Sequence, residues 1–133
     1  MANALYDKGR EAFLSGDITW DGDNIKCLLV DTGVYTVDLV NDQYHSDVSG
    51  VVATSANFTT KTVTGGVADA DNVTLTSVIV NESDVVVIYQ DTGSSGTSRL
   101  IAYIDTATGL PVTPNGGDIV VQWDNGSNKI FKL

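Results

Sequence analysis

Residues 98–133 read SRLIAYIDTATGLPVTPNGGDIVVQWDNGSNKIFKL. The stretch has the pattern of strand, tight loop, strand, turn and strand, continued to the last residue. Arg99–Asp105, Ile119–Trp123 and Lys129–Phe131 read as the strands, the loop between the first two holds both prolines, and Asn125-Gly126 is a strong hairpin signal. A chain whose last residues form a strand is expected to have a docked end without a targeting tail, since free ends fray unless tied down.

Working outward from this stretch, Val85–Gln90 (VVVIYQ) is the strongest strand signal. Ile25–Asp31 (IKCLLVD) is apolar on both faces and reads as a central strand. Further strands are expected at Asp17–Trp20, at Tyr35–Val40 with Tyr35, Val37 and Leu39 on one side, weakly within Val51–Thr60, and at Lys61–Thr64 and Val73–Val80. Gly65-Gly66 reads as a break, Asn81–Asp84 and Asp124–Asn128 as turns, Asn41–Gly50 as an exposed polar loop, and Asp91–Thr97 (DTGSSGT) as a flexible hairpin tip. Residues 4–14 are the one good helix candidate, with Leu5, Ala12 and Phe13 on one face, Gly9 as a weak point and Ser15-Gly16 as the stop. The expectation is one all-β domain over residues 1–133, a β-sandwich or β-barrel of about eight short antiparallel strands, with residues 1–15 as a short N-terminal helix or arm.

The 133 residues suffice for a real core, and 42% of them are apolar. The net charge is −10, and 15 of the 17 acids are aspartate. Seven basic residues are too few for a wide phosphate-binding surface, so neither nucleic acid nor anionic membrane is expected as a partner. The acidity serves solubility, or docking onto a basic surface. The lone Cys27 allows no intrachain disulfide and reads as a buried inert thiol. No stretch is apolar enough to span a bilayer, and MANALYDKGREAFL lacks the core of a secretory signal.

Asp-Thr-Gly occurs twice, at Asp31-Thr32-Gly33 and Asp91-Thr92-Gly93, each time after an apolar strand. This resembles the aspartic-protease signature, whose chemistry requires two carboxylates close enough to share a proton. The copies stand too near in sequence for a two-lobed enzyme. The apolar-apolar-Gly brace of a one-copy dimeric protease is missing, so turn chemistry is the preferred reading. Asp21 with Asp23 and Asp69 with Asp71 are oxygen-rich turns without the spacing of a calcium loop. His45 has no candidate nucleophile beside it, and no phosphate loop, zinc spacing or serine elbow occurs. The Asn-x-Ser/Thr sites at Asn57, Asn72, Asn81 and Asn125 would matter only in a secreted eukaryotic protein. Neither a catalytic residue nor a cofactor is expected. Trp20 and Trp123 each precede an aspartate turn and are expected in core or rim packing, near each other or at a contact.

Ala4–Asp31, Ser98–Leu133 and the intervening VATSANFTTKTVTGGVADADNVT (residues 52–74) resemble a group of small proteins encoded among the virion structural genes of tailed bacteriophages. The resemblance covers nearly the whole chain and implies a non-enzymatic virion component, without catalytic residues. An acidic β module of this size suits a decoration or cement protein on the outer face of a capsid. A tail, neck or fibre-associated protein is the alternative. The expected partners are the major capsid protein or other virion proteins and further copies of the chain. The expected location is the virion, above all the capsid surface, with the host cytoplasm during assembly. Leu5, Tyr6, Phe13, Trp20, Tyr44 and Trp123 are the candidates for partner contact.

Overall fold

Two strands predicted from continuous apolar runs form the centre of the molecule. In the computed structural model, which describes residues 3–78, 82–107, 109–123, 126–127 and 129–133, β2 (Ile25–Val30) pairs antiparallel with β7 (Val85–Gln90) along its whole length, from Ile25 opposite Gln90 to Val30 opposite Val85. All six residues of β7 are buried. Alternate residues of a strand face opposite ways, so an unbroken apolar run demands cover on both sides.

Three more strands extend this pair into an open sheet of order β1-β8-β7-β2-β3, where β1 is Ala4–Leu5, β8 is Leu100–Ile104 and β3 is Val51–Thr54. The first face carries Ile25, Cys27, Leu29, Val86 and Ile88. Two small antiparallel sheets cover it. One has the order β10-β5-β4, with β4 at Thr62–Thr64, β5 at Val67–Asp69 and β10 at Phe131–Lys132; the other pairs β6 (Val73–Leu75) with β9 (Ile119–Val121). Ala68, Val73, Leu75 and Phe131 from this cover share one core with the central sheet. The second face carries Leu28, Val30, Val85, Val87 and Tyr89 and is covered by the irregular segment 31–48, through Tyr35 and Val48.

The fold is therefore all-β and single-domain, with ten antiparallel strands among the described residues and one short helix. The central sheet ends in two open edges, β1 and β3, so it does not close into a barrel. Stacked sheets are the arrangement formed.

The helix, α1, spans Asp7–Ser15 and starts later than the sequence suggested, because Ala4 and Leu5 pair with Tyr103 and Ala102 of β8. Gly9 is no weak point but a packing requirement: a Cβ there would stand 2.6 Å from the carbonyl oxygen of Leu100. Gly16 ends the helix in the left-handed conformation, φ 81°.

Other expectations are corrected. Asp17–Trp20 is not a strand, although Ile18 and Trp20 are buried. Tyr35–Val40 is not a strand either. Its alternation reflects Tyr35, Val37 and Leu39 packing on the second face, while its backbone turns on aspartate side chains. Gly65-Gly66 is not a break but the two-residue loop of the β4–β5 hairpin, with φ of 62° and 78° joining Thr64 to Val67. Strands β9 and β10 flank the expected Asn-Gly hairpin yet pair with different partners, β6 and β5. Asp124, Asn125 and Asn128 of that turn lie outside the described residues, as do Asn81 and the end of the expected Val73–Val80 strand. The 91–97 tip joins β7 to β8 and is tied down, with Ser98 Oγ donating to the Ser94 carbonyl at 2.8 Å and Ser46 N–H to the Ser95 carbonyl at 3.0 Å. Among the described residues no helix is long and apolar enough to cross a membrane.

Candidate functional site

The two Asp-Thr-Gly turns sit at opposite ends of the β2–β7 pair. Asp31 follows Val30, which faces Val85, whereas Asp91 follows Gln90, which faces Ile25. They stand one residue beyond either end of the six-pair ladder, about 24 Å apart at ~3.4 Å per residue, so this chain does not bring the two carboxylates together. Each carboxylate accepts the N–H of its own glycine, Gly33 at 2.8 Å and Gly93 at 3.0 Å. Each threonine N–H is taken by a side chain, Asp84 for Thr32 and Ser98 for Thr92. The Thr32 hydroxyl also bonds Asp84. Both copies are turn locks.

The same use explains why the acids are aspartates. Asp23, Asp31, Asp38, Asp42, Asp47, Asp84, Asp91 and Asp118 each accept a backbone N–H with a side-chain oxygen. The short aspartate side chain reaches nearby backbone that glutamate would overshoot. Asp23 also receives Gln90 Nε2 at 2.7 Å, and Asp71 receives the hydroxyls of Thr59 and Thr60. Among the described residues no three of His, Cys, Asp or Glu gather as a metal-ligand set.

Most expected contact residues lie inside. Leu5, Tyr6, Trp20 and Trp123 are buried, and Phe13 is half-buried against Phe131. Trp20 and Trp123 do not touch each other in a stack; Phe58 stands between them, with ring centroids 6.0 and 5.2 Å away. Their indole N–H groups donate to the carbonyls of Asp69 and Asp71, so two tryptophans anchor one connection, β5 to β6. Both indoles thus have their polar handles satisfied. Tyr44 is half-buried beneath the Arg99 guanidinium, 5.5 Å from its ring centre. His45 is likewise half-buried, its ring 4.9 Å from that of Tyr89. Burial pushes the Cys27 thiol up to about 12, consistent with an inert group.

The surface feature that sequence reasoning missed is a groove of about 410 Å³ beneath β4. Phe13, Trp20, Ala68 and Phe131 line it, Val63 overhangs it and Asp21 stands on it. The cross-strand row Phe131–Ala68–Val63 runs over the inner face of its sheet. Ala68 is buried, 4% exposed, whereas Val63, on the edge strand, is 56% exposed. Leu14 and Leu133 are exposed as well. The sequence signal was Thr62-Val63-Thr64 before Gly-Gly, an alternating strand leading into a hairpin turn. A second cavity of about 350 Å³ lies between Thr32, Asp84, Tyr103, Asp105 and Pro111.

No protein-family model matches the chain, and no curated protein matches it either.

Proposed function

We propose that this chain is a non-enzymatic bacteriophage virion protein, a decoration or cement protein that binds the outer face of a capsid and stabilises it. The observation behind this reading is the groove under β4: an apolar recess beside an uncovered strand edge, on a molecule of net charge −10. Such a surface suits docking on another protein better than turnover of a substrate. The double-faced core supports the same reading, because a shell-binding module must hold its shape under load. The resemblance of residues 4–31, 52–74 and 98–133 to small virion proteins of tailed bacteriophages supplies the biological setting.

The test is immunogold labelling of purified virions with antibody to this chain, combined with copy number by quantitative mass spectrometry. Label spread over the head at hundreds of copies is the expected result. Label confined to the tail or neck at a few to tens of copies would replace the cement reading with a ring, tube or fibre component.

A further inference from the structure

We infer that β4 and the groove beneath it receive an extended, basic segment of the capsid protein, added as a further strand to the β10-β5-β4 sheet. The inference rests on the decoration reading and names the surface through which it acts.

Three observations lead to it. Among the described residues strand β4 pairs with β5 alone, and none of them covers its other edge. Its residues Thr62, Val63 and Thr64 are all exposed and none is charged. Natural sheets defend such edges with charges, prolines or bulges, and an undefended edge is a template for pairing. The added strand would gain main-chain hydrogen bonds from β4, as in other cases of strand addition.

The groove sets the side chain that follows. Phe13, Trp20, Ala68 and Phe131 make an apolar recess that would take an aliphatic side chain of the incoming strand, packed under Val63. Asp21 is the one ionisable side chain in the lining. A lysine or arginine flanking that aliphatic residue would pair with it.

Charge separates the candidate occupants. A second copy would bring −10 against −10, whereas a basic segment is drawn in by the same field. Among the described residues the other edges of three or more residues differ from β4: β3 packs Val52 and Ala53 against the core, β6 buries Val73 and Leu75, and β9 packs Ile119 and Val121 against it.

The experiment uses the full chain and capsid shells purified from the encoding phage with this gene deleted. Binding is measured for wild type, Val63→Lys, Asp21→Lys and, as a control on another exposed valine, Val120→Lys. Amide hydrogen exchange is followed with and without shells. The expected result is a loss of about tenfold or more for Val63→Lys, a smaller loss for Asp21→Lys, none for Val120→Lys, and slowed exchange at Thr62–Thr64 on binding. If Val63→Lys does not fold, Asp21→Lys and the exchange pattern decide. Wild-type binding that Val63→Lys and Asp21→Lys both retain, with no protection of β4, overturns the inference and leaves the decoration reading standing. No binding of wild type to shells removes both. Self-association of wild type that protects β4 without shells, seen by sedimentation, would make a second copy the occupant and overturn the basic-segment assignment.

Discussion

The two faces of the central sheet are buried by different means. On the first, short strands close the core, and their anchors are Trp20, Phe58, Trp123 and Phe131 in mutual edge-on or tilted contact. On the second, no strand among the described residues closes it. The segment 31–48 lies over a tyrosine-rich layer of Tyr6, Tyr35, Tyr89 and Tyr103. A strand lid satisfies its backbone in ladders, so its side chains are free to be wholly apolar. A loop lid has no ladder, so it needs polar side chains to satisfy its backbone. Asp38 accepts from Val40 and Asn41, Asp42 from Asp38, and Asp47 from Gln43 and Tyr44. The tyrosine hydroxyls continue this network inward: Tyr6 and Tyr35 share a hydrogen bond of 2.9 Å, and Tyr35 donates to Asp42 at 2.6 Å. The first face should therefore fail by loss of packing, and the second by loss of polar partners.

Trp20→Ala tests the first half and carries the largest expected effect. Trp20 is 3% exposed, stands 5.3 Å from Phe131 and bonds the Asp69 carbonyl. Truncation should cost about 3–5 kcal/mol from cavity and transfer terms together. Urea unfolding at neutral pH measures it. A cost below ~1 kcal/mol would mean that the strand lid does not depend on its aromatics.

How much of this contrast was legible in the sequence follows the same division. The apolar runs of β2 and β7 announced a sheet covered twice, and Val85–Gln90 was read correctly because six buried residues in a row leave little ambiguity. The lids were harder. Tyr35–Val40 alternates like a strand because one side is buried, and alternation reports burial without reporting a pairing partner. The strands of the first lid are two or three residues long, too short for periodicity, so β5 went unseen inside VADAD. Of the expected contact residues, Leu5, Tyr6, Trp20 and Trp123 are buried in the core. Val63 carried no signal on its own, because an edge is a property of the sheet order, and sheet order is set by contacts far apart in sequence.

Alkaline pH sharpens the contrast between the faces. Burial pushes the Cys27 thiol of the first face up to about 12, against an ordinary value near 9. A group raised by folding stabilises fully below its unfolded value and loses that contribution as pH climbs towards the folded one. Cys27 should thus cost stability from about pH 9 upward, reaching about 1–2 kcal/mol near pH 10. Cys27→Ala should remove this early part of the decline and leave the later part, which the second face contributes. There, burial raises Tyr6 and Tyr35 well above the ordinary tyrosine range and Tyr89 to about 12, so their loss begins only near pH 10. Chemical unfolding at pH 8, 9, 10 and 11 separates the two onsets. An unchanged onset in Cys27→Ala would place the early loss elsewhere.

Tyr35→Phe is the matching test of the second face. It keeps the ring against Tyr103 and removes the hydroxyl that joins Tyr6 to Asp42. The buried Tyr6 hydroxyl then lacks its partner Tyr35, and the expected cost is about 1–2 kcal/mol, smaller than for Trp20→Ala. Amide exchange within 35–48 should quicken more than exchange in β5 and β6. Uniform acceleration over both lids would show that the hydroxyl chain serves the whole fold and that the loop lid has no separate dependence on it.

The smallest effect concerns the ion pair at the rim of the second face. Lys26 stands beside Tyr89 in the ladder, and its ammonium lies 2.9 Å from Asp91. With the Gly93 N–H, it holds the Asp91 carboxyl below the ordinary range. A depressed carboxylate stabilises above its unfolded value near 3.9 and loses that contribution as pH falls through the lower folded value. Both side chains are about a quarter exposed, 25% and 22%, so solvent screens the pair and its worth is set at about 0.5–1 kcal/mol. Asp91→Asn should therefore be less stable than wild type by about that amount at pH 7, and the gap should close towards pH 2. Urea titrations at the two pH values measure it. A gap that persists at low pH would assign the effect to the turn hydrogen bond from the Gly93 N–H, making the second copy of Asp-Thr-Gly a turn lock like the first, with the lysine incidental.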